Sequence, residues 1–415
     1  MVNDSILKLT GESTISAAWK AIFPSSLTAQ SKIAIKIYSA SPQTPSHWQA
    51  IKAITDGLQQ MDFNGAKFPI ANISLYEGNA SNRHSQCGFT SENLPGIKIE
   101  YWASGNFADG AGNGAAGAIK DRAYAPSLKN ADFLINAFNP HGTDASWSYF
   151  SLGFKNHFGT YELAKPLDLH YRSNPNPAQL CQQGLCDMNC TGPILKKTVL
   201  NVCVGLVANN EGNGPLKNPD DYSKYSKAID PTSTCKHPTT IIMSTDPISC
   251  EMQTVKMMRM NKGGNYGVSD MPKYLQASGG VVGALSGTVY NIGVIDEAKM
   301  EVRRIINGVT SIAGHPQVSE AKSSTSLVVS PLRGHGVTFI EYRLPSRHLG
   351  QDASISIYAI HGALIRKETK SVLGAINHYT WDNRDRAGRS APAGKYIVKV
   401  KSGAVSLLKH FAIAR

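Results

Sequence analysis

A chain of 415 residues, 41% of them hydrophobic, can bury a full core and has the length of two or three domains. Its 42 Lys and Arg against 30 Asp and Glu leave a formal charge of +12. That charge suits an acidic partner, yet no run of five bases and no aromatic–arginine pattern marks a nucleic-acid module, so nucleic acid is not expected as a partner.

The first thirty residues are weakly patterned and read as an arm. KIAIKIY, Lys32 to Tyr38, then places Ile33, Ile35 and Ile37 on one face of a strand. Ser46 follows as a candidate N-cap. Trp48, Ile51, Ile54, Leu58 and Met61 recur at three and four, which predicts an amphipathic helix over 47–61. A second strand over 72–76 completes a strand–helix–strand order, and such crossovers join parallel neighbours. Lys36 shares a face with Lys32, and Glu77 ends the next strand. Each reads either as a solvated charge or as a ligand-binding group at the strand ends of an α/β sheet. Residues 105–121, rich in glycine, read as a loop or lid.

The stretch from Ala131 to Tyr171 most needs a chemical explanation. Phe133 to Ala137 is a buried strand running into Asn139 and Pro140, and His141, Lys155, Asn156, His157 and His170 crowd the passage after it. Gly142, Gly153 and Gly159 let the backbone approach what those side chains face. Strands over 198–207 and 241–243 and a helix over 249–260 follow. Asp246 reads either as a ligand or metal group or as the N-cap of that helix. Residues 316–325 turn polar and mark a linker, and beyond it short alternating strands predict an antiparallel β-sandwich. The expected layout is an arm over 1–30, an α/β domain with a mostly parallel sheet over 31–315, a linker over 316–325 and an immunoglobulin-like sandwich over 326–415.

The seven cysteines include CQQGLCDMNC, whose spacing matches no paired zinc or iron–sulfur pattern. One or two disulfides within 181–250 are the expectation for an exported chain. No stretch reaches the ~20 apolar residues of a transmembrane segment, and MVNDSILKLTGEST lacks the form of a signal peptide.

In order, KIAIKIY, ADFLINAFNPHG, SLGFKNHFGTY with LDLH, EGNGP and STDPIS resemble the family numbered three hundred and sixty-two among the domains of unknown function, over roughly residues 32–308. The resemblance implies no settled activity. It does imply an architecture distantly similar to the nickel-pincer lactate racemase superfamily, and some members of the family carry iron–sulfur modules. This chain departs from the pattern: Asn139, Pro140 and His141 stand where a Lys-x-His is frequent, Glu251 stands where an aspartate is common, and no ferredoxin-like cysteine cluster occurs. ISIYAIHGALIRK and HYTWDNRDRAGRSAPAGKYIVKV, within 354–415, resemble the immunoglobulin-like domain of flagellar hook-capping proteins. The same pattern recurs as a C-terminal sorting domain of exported bacterial proteins, including those of the type IX route. The resemblance implies export, contact with secretion machinery and an extracellular or cell-surface location.

Three readings of the central stretch stay open. His141, His157 and His170 with Asp246 or Glu77 offer nitrogen and oxygen ligands to a divalent metal. Lys155 and Asn156, with backbone NH groups freed by glycine, suit a carboxylate or phosphate, with His157 or His141 as acid–base; this reading is preferred. The third is purely structural. No nucleophile elbow, Walker loop or HExxH occurs. The functions expected are an exported enzyme for a small carboxylated or sugar-like ligand or, alternatively, a non-catalytic extracellular protein that holds a polysaccharide through Trp102 and Trp147.

Overall fold

The computed structural model describes residues 1–78, 81–101, 119–120, 122–143, 149–161, 177–209, 219–305, 326–332, 337–344, 351–371, 376–403 and 405–413. The candidates His170, Trp102 and Trp147, the turn EGNGP, most of the glycine-rich 105–121 and the linker 316–325 lie outside them. The chain divides into two units, Met1–Gly308 and Val309–Arg415.

In the first unit the predicted apolar runs become β1 (Ile33–Lys36), β2 (Ile73–Glu77), β4 (Phe133–Phe138), β5 (Thr198–Gly205) and β6 (Thr240–Ser244), and a further strand that the sequence did not announce forms β3 (Lys98–Tyr101). Among the described residues these six form one sheet in the order β3-β2-β1-β4-β5-β6. All neighbours are parallel except β5 and β6, which are antiparallel. The chain winds outward from β1 to β3, then returns to the other side of β1 to start β4. The carboxyl ends of β1 and β4 are therefore the topological switch point, where doubly wound sheets present ligands.

Both faces are covered, as a parallel sheet requires. On one face Ile33, Ile35, Ile135 and Val202 pack with α3 (Trp48–Gln59) through Ile51, Ile54 and Leu58. The first thirty residues join this face instead of forming an arm. They fold as α1 (Val2–Thr10) and α2 (Ile15–Ala21), and bury Ile6 and Trp19 completely. Each helix is too short to show a clear period. The Trp19 indole occupies the place of a side chain at Gly57, where a Cβ would lie 2.1 Å from Nε1. Ser46 does not cap α3. Its hydroxyl accepts from Tyr38 N at 2.8 Å and donates to Ala137 O at 3.0 Å, tying β1 to β4.

The other face packs Ala34, Tyr76, Leu134 and Phe138 against α5 (Gly153–Asn156), α6 (Pro177–Cys190), α7 (Pro247–Lys262) and α8 (Lys273–Ser278); α4 (Ser81–Gln86) follows β2. None of the seven cysteines forms a disulfide, contrary to the expected bridges, and six of them are buried. Cys186 and Cys190 lie one turn apart on α6, with the Cys186 thiol donating to Tyr274 O and the Cys190 thiol to Ser278 Oγ, and serve as core filling. Denaturation without reductant followed by alkylation should label all seven; a mass short by a pair would restore a bridge.

Asp246 is the N-cap of α7. Its Oδ1 accepts from Ile248 N at 2.8 Å and Ser249 N at 3.0 Å, and its Oδ2 from Val294 N at 2.7 Å. Asp246→Ala is expected to cost about 1–2 kcal/mol and Asp246→Asn, which keeps the Oδ1 cap but turns its amide NH2 toward Val294 N, somewhat less, measured by urea unfolding. Equal losses would show that the cap is not what the carboxylate supplies.

The second unit is an antiparallel β-sandwich of β7 (Ser326–Leu332), β8 (Val337–Arg343), β9 (Asp352–Ala359), β10 (Leu364–Ser371), β11 (Ile376–Trp381), β12 (Gly394–Ser402) and β13 (Val405–Ile413). The sheets are β7-β8-β11 and β10-β9-β12-β13. Trp381 plugs the space between them: fully buried, it stands edge-on to Tyr396 and Phe411, and its Nε1 donates to Arg384 O at 2.8 Å. Among the described residues no helix is long and apolar enough to cross a membrane.

Candidate functional site

Alternation along β1 puts Lys36 on the face opposite the isoleucines, and because that face is covered the lysine is fully buried. It is one member of a row. Lys36 pairs in register with Tyr76 on β2 and Asn136 on β4, and Asn136 with Asn201 on β5, so four adjacent strands place polar side chains side by side. The Lys36 ammonium donates to Ile37 O at 2.7 Å, Glu77 Oε1 at 2.9 Å and Asn156 Oδ1 at 3.3 Å. Its three protons are thus matched by three acceptors. Asn156 donates to Asn136 Oδ1 at 2.8 Å, and Asn136 to Gly153 O at 3.0 Å and Asn201 Oδ1 at 3.3 Å. Burial pushes the lysine below its usual range, while the Glu77 carboxylate holds its proton on.

Glu77 also accepts from Gly78 N at 2.7 Å and Ser39 N at 3.3 Å. A Cβ at Gly159 would lie 2.2 Å from Glu77 Oε1, so only glycine lets this segment run against the carboxylate. α5, which carries Lys155 and Asn156, is held at its start by Glu251 of α7. This carboxylate accepts from Gly153 N at 2.8 Å, Phe154 N at 3.3 Å and the Tyr274 hydroxyl at 2.8 Å. Burial raises Glu251 to about 7 despite those donors.

His157 follows α5. Its Nδ1 shares a 3.1 Å hydrogen bond with Thr160 Oγ1, which lies 3.1 Å from the Tyr76 hydroxyl. Burial and then the Lys36 charge hold this imidazole well below its usual range. His141 stacks on Tyr38 at 4.3 Å and is lowered to about 3 by burial and then by Lys155. Its Nδ1 lies 3.1 Å from Asn139 O, which can only accept. The proton therefore sits on Nδ1, and Nε2 carries the lone pair. Lys155 donates to Thr143 Oγ1 at 2.7 Å.

The fold thus gathers Lys36, Glu77, Asn156 and His157 in one buried network and sets His141 beside Lys155. Asp246 does not join them, because antiparallel β6 carries the chain away from the carboxyl ends of β1 and β4. Among the described residues no three His, Cys, Asp or Glu side chains are arranged to hold a metal. Sequence reasoning missed Asn136, Asn201, Tyr38, Ser39 and His84. An asparagine inside each of the apolar runs FLINAF and TVLNVCVG was the available signal for the first two.

The family described as "Domain of unknown function (DUF362)" matches residues 32–256, more than half of the chain and all six strands' span. The chain belongs to this family. No curated protein matches it. Among solved structures this DUF362 chain is similar to PorZ, a surface component of the type-IX secretion system of Porphyromonas gingivalis, at 22% identity over 23% of this chain and 13% of that one, TM-score 0.17. It is also similar to FlgD from P. aeruginosa, at 14% identity over 20% of this chain and 63% of that one, TM-score 0.17. A third is the sensor domain of the anti-sigma factor RsgI4 from Pseudobacteroides cellulosolvens, at 17% identity over 22% of this chain and 96% of that one, TM-score 0.16. The strands themselves, not these partial likenesses, define the second unit as a β-sandwich.

Proposed function

We propose that the DUF362 unit binds a small carboxylate at the switch point and acts on it with a neutral histidine as acid–base. One observation carries this. Among the described residues, Tyr38 Oη and His84 Nε2 are buried polar atoms that meet no partner. Both lie within the field of Glu77, and His84 Nδ1 is already engaged with Ser39 Oγ at 2.7 Å. Leaving such an atom unpaired costs about 1–3 kcal/mol, so two beside the same carboxylate support a ligand that completes them.

In this reading Tyr38 and His84 bind the ligand, Lys155 supplies its countercharge, and His141 Nε2 accepts the proton, with His157 as the second candidate base. Lys36, Glu77 and Asn156 position the segment. Thermal-shift titration against a panel of mono- and dicarboxylates should find a saturable ligand whose binding weakens about tenfold in Tyr38→Phe and in Lys155→Ala. His141→Gln should keep binding and lose turnover. Unchanged binding in both binding variants, with folding intact, rules the reading out. Stoichiometric divalent metal in the purified chain, lost on His141→Ala, would instead favour the metal site.

The second reading is a non-catalytic extracellular binding protein whose sandwich contacts secretion machinery. It is supported by the strand pattern of residues 326–413. It expects the full chain at the cell surface or in the medium, and a chain ending before Ser326 inside the cell; equal distribution of the two refutes it.

A further inference from the structure

β12 buries Tyr396, Val398 and Val400 in the sandwich, so Lys395, Ile397, Lys399 and Lys401 stand on the outer face of the four-stranded sheet. Register extends that face across the neighbouring strands. Lys399 pairs with Ser356, and Ser356 with Lys367 on β10; Lys401 pairs with Ser354, and Ser354 with Thr369. On the far side Lys401 pairs with Ser406 and Lys399 with Leu408. With strands about 4.8 Å apart and about 3.4 Å of rise per residue, the roots of Lys367 and Lys399 lie about 10 Å apart and those of Lys399 and Lys401 about 7 Å apart.

The charge on this face is uncompensated. Among the described residues Lys367, Lys395, Lys399 and Lys401 have no ion pair or hydrogen bond. Glu368 of β10 points to the other side and pairs with Arg366 at 2.8 Å. Asp352, at the start of β9, is the one acid in the outward register of β9 and β12.

We infer that this face binds a linear acidic polysaccharide. Rows of ammonium groups with the hydroxyls of Ser354, Thr369 and Ser406 beside them, Ser356 being buried beneath the lysines, match a polymer that alternates carboxylates with sugar hydroxyls. Tyr358, in the same register as Ile397, offers a ring to a pyranose. A single-stranded nucleic acid would need stacked aromatics along a groove, and a bilayer would need an apolar wedge. The face has two separate rings, Tyr358 and His410 on either side of Ile397, and scattered aliphatics.

The test titrates the full-length chain with polygalacturonate, with neutral dextran, an oligonucleotide duplex and phosphatidylglycerol vesicles as comparators. Polygalacturonate should bind, weaken at high salt and outcompete the duplex and the vesicles, while dextran stays unbound. Lys399→Glu with Lys401→Glu should cost about tenfold or more, and the neutral pair Lys399→Gln with Lys401→Gln a smaller factor in the same direction. Lys67→Glu with Lys227→Glu, the same charge change on exposed residues of the first unit, should leave affinity unchanged. The inference falls if polygalacturonate does not bind at low salt, if the two charge-reversed proteins lose affinity equally, or if the duplex or the vesicles bind more tightly. A neutral pair with native circular dichroism and undiminished affinity overturns it as well.

Discussion

Lys36→Met should destabilise the first unit by about 3–5 kcal/mol, because it removes one half of a buried ion pair and leaves the Glu77 carboxylate with no cation. The pair is formed at 2.9 Å between side chains 0% and 3% exposed, so little water screens it. Glu77→Gln alone should cost a similar amount by stranding the ammonium. The double variant Lys36→Met with Glu77→Gln should recover most of the loss, since replacing both charges removes the desolvation cost along with the attraction. Urea unfolding followed by far-ultraviolet circular dichroism reads all four proteins. If the double variant is as unstable as the two single losses added, Lys36 and Glu77 act independently and the network is not organised around their pair. Losing Lys36 should also let His157 titrate higher, because that ammonium is one of the two causes that lower it.

Lys36 shows where the sequence was legible and where it stopped. Its alternation with the isoleucines was visible, and so was the strand–helix–strand order that makes the sheet parallel. A parallel sheet is covered on both faces, so a lysine on the second face has to be buried and partnered; the solvated alternative belongs to antiparallel sheets with one wet face. What the sequence could not show is the register that sets Lys36, Asn136 and Asn201 level across β1, β4 and β5, since it depends on contacts between residues many tens of positions apart. Glu251 was noticed as a departure from family pattern, but its task at the start of α5 needs coordinates. Asp246 was legible as a cap from the Ser-Thr-Asp-Pro run before a helix. In the sandwich, Trp381 and the Gly388 turn at φ +77° follow from the motif, whereas β10, LIRKETKS, was hidden because most of its side chains are polar.

Acid should weaken the first unit through its buried histidines as well as its carboxylates, and His141 should account for a large share. In the unfolded chain its imidazole takes a proton near its ordinary 6.5, while in the fold burial and Lys155 lower it to about 3. Between those values the unfolded state binds one more proton than the native state, so unfolding free energy rises with pH across the window and is lost as pH falls through it. At about 1.4 kcal/mol for each pH unit the loss approaches 4–5 kcal/mol by pH 3. His157 contributes in the same direction. Glu251 opposes both: raised to about 7, it keeps a proton in the fold that the unfolded chain releases above about 4.5, so its contribution falls as pH rises from there to 7. Stability should therefore fall gently from pH 6.5 to 4.5, where one histidine is offset, and steeply below, where neither is. His141→Gln cannot titrate, so it should remove about one proton from the slope. Urea midpoints measured at half-unit steps of pH decide the matter: parallel curves for His141→Gln and the parent would mean that His141 protonates in the fold as easily as in water. A neutral imidazole waiting beside Lys155 would then be lost as the base.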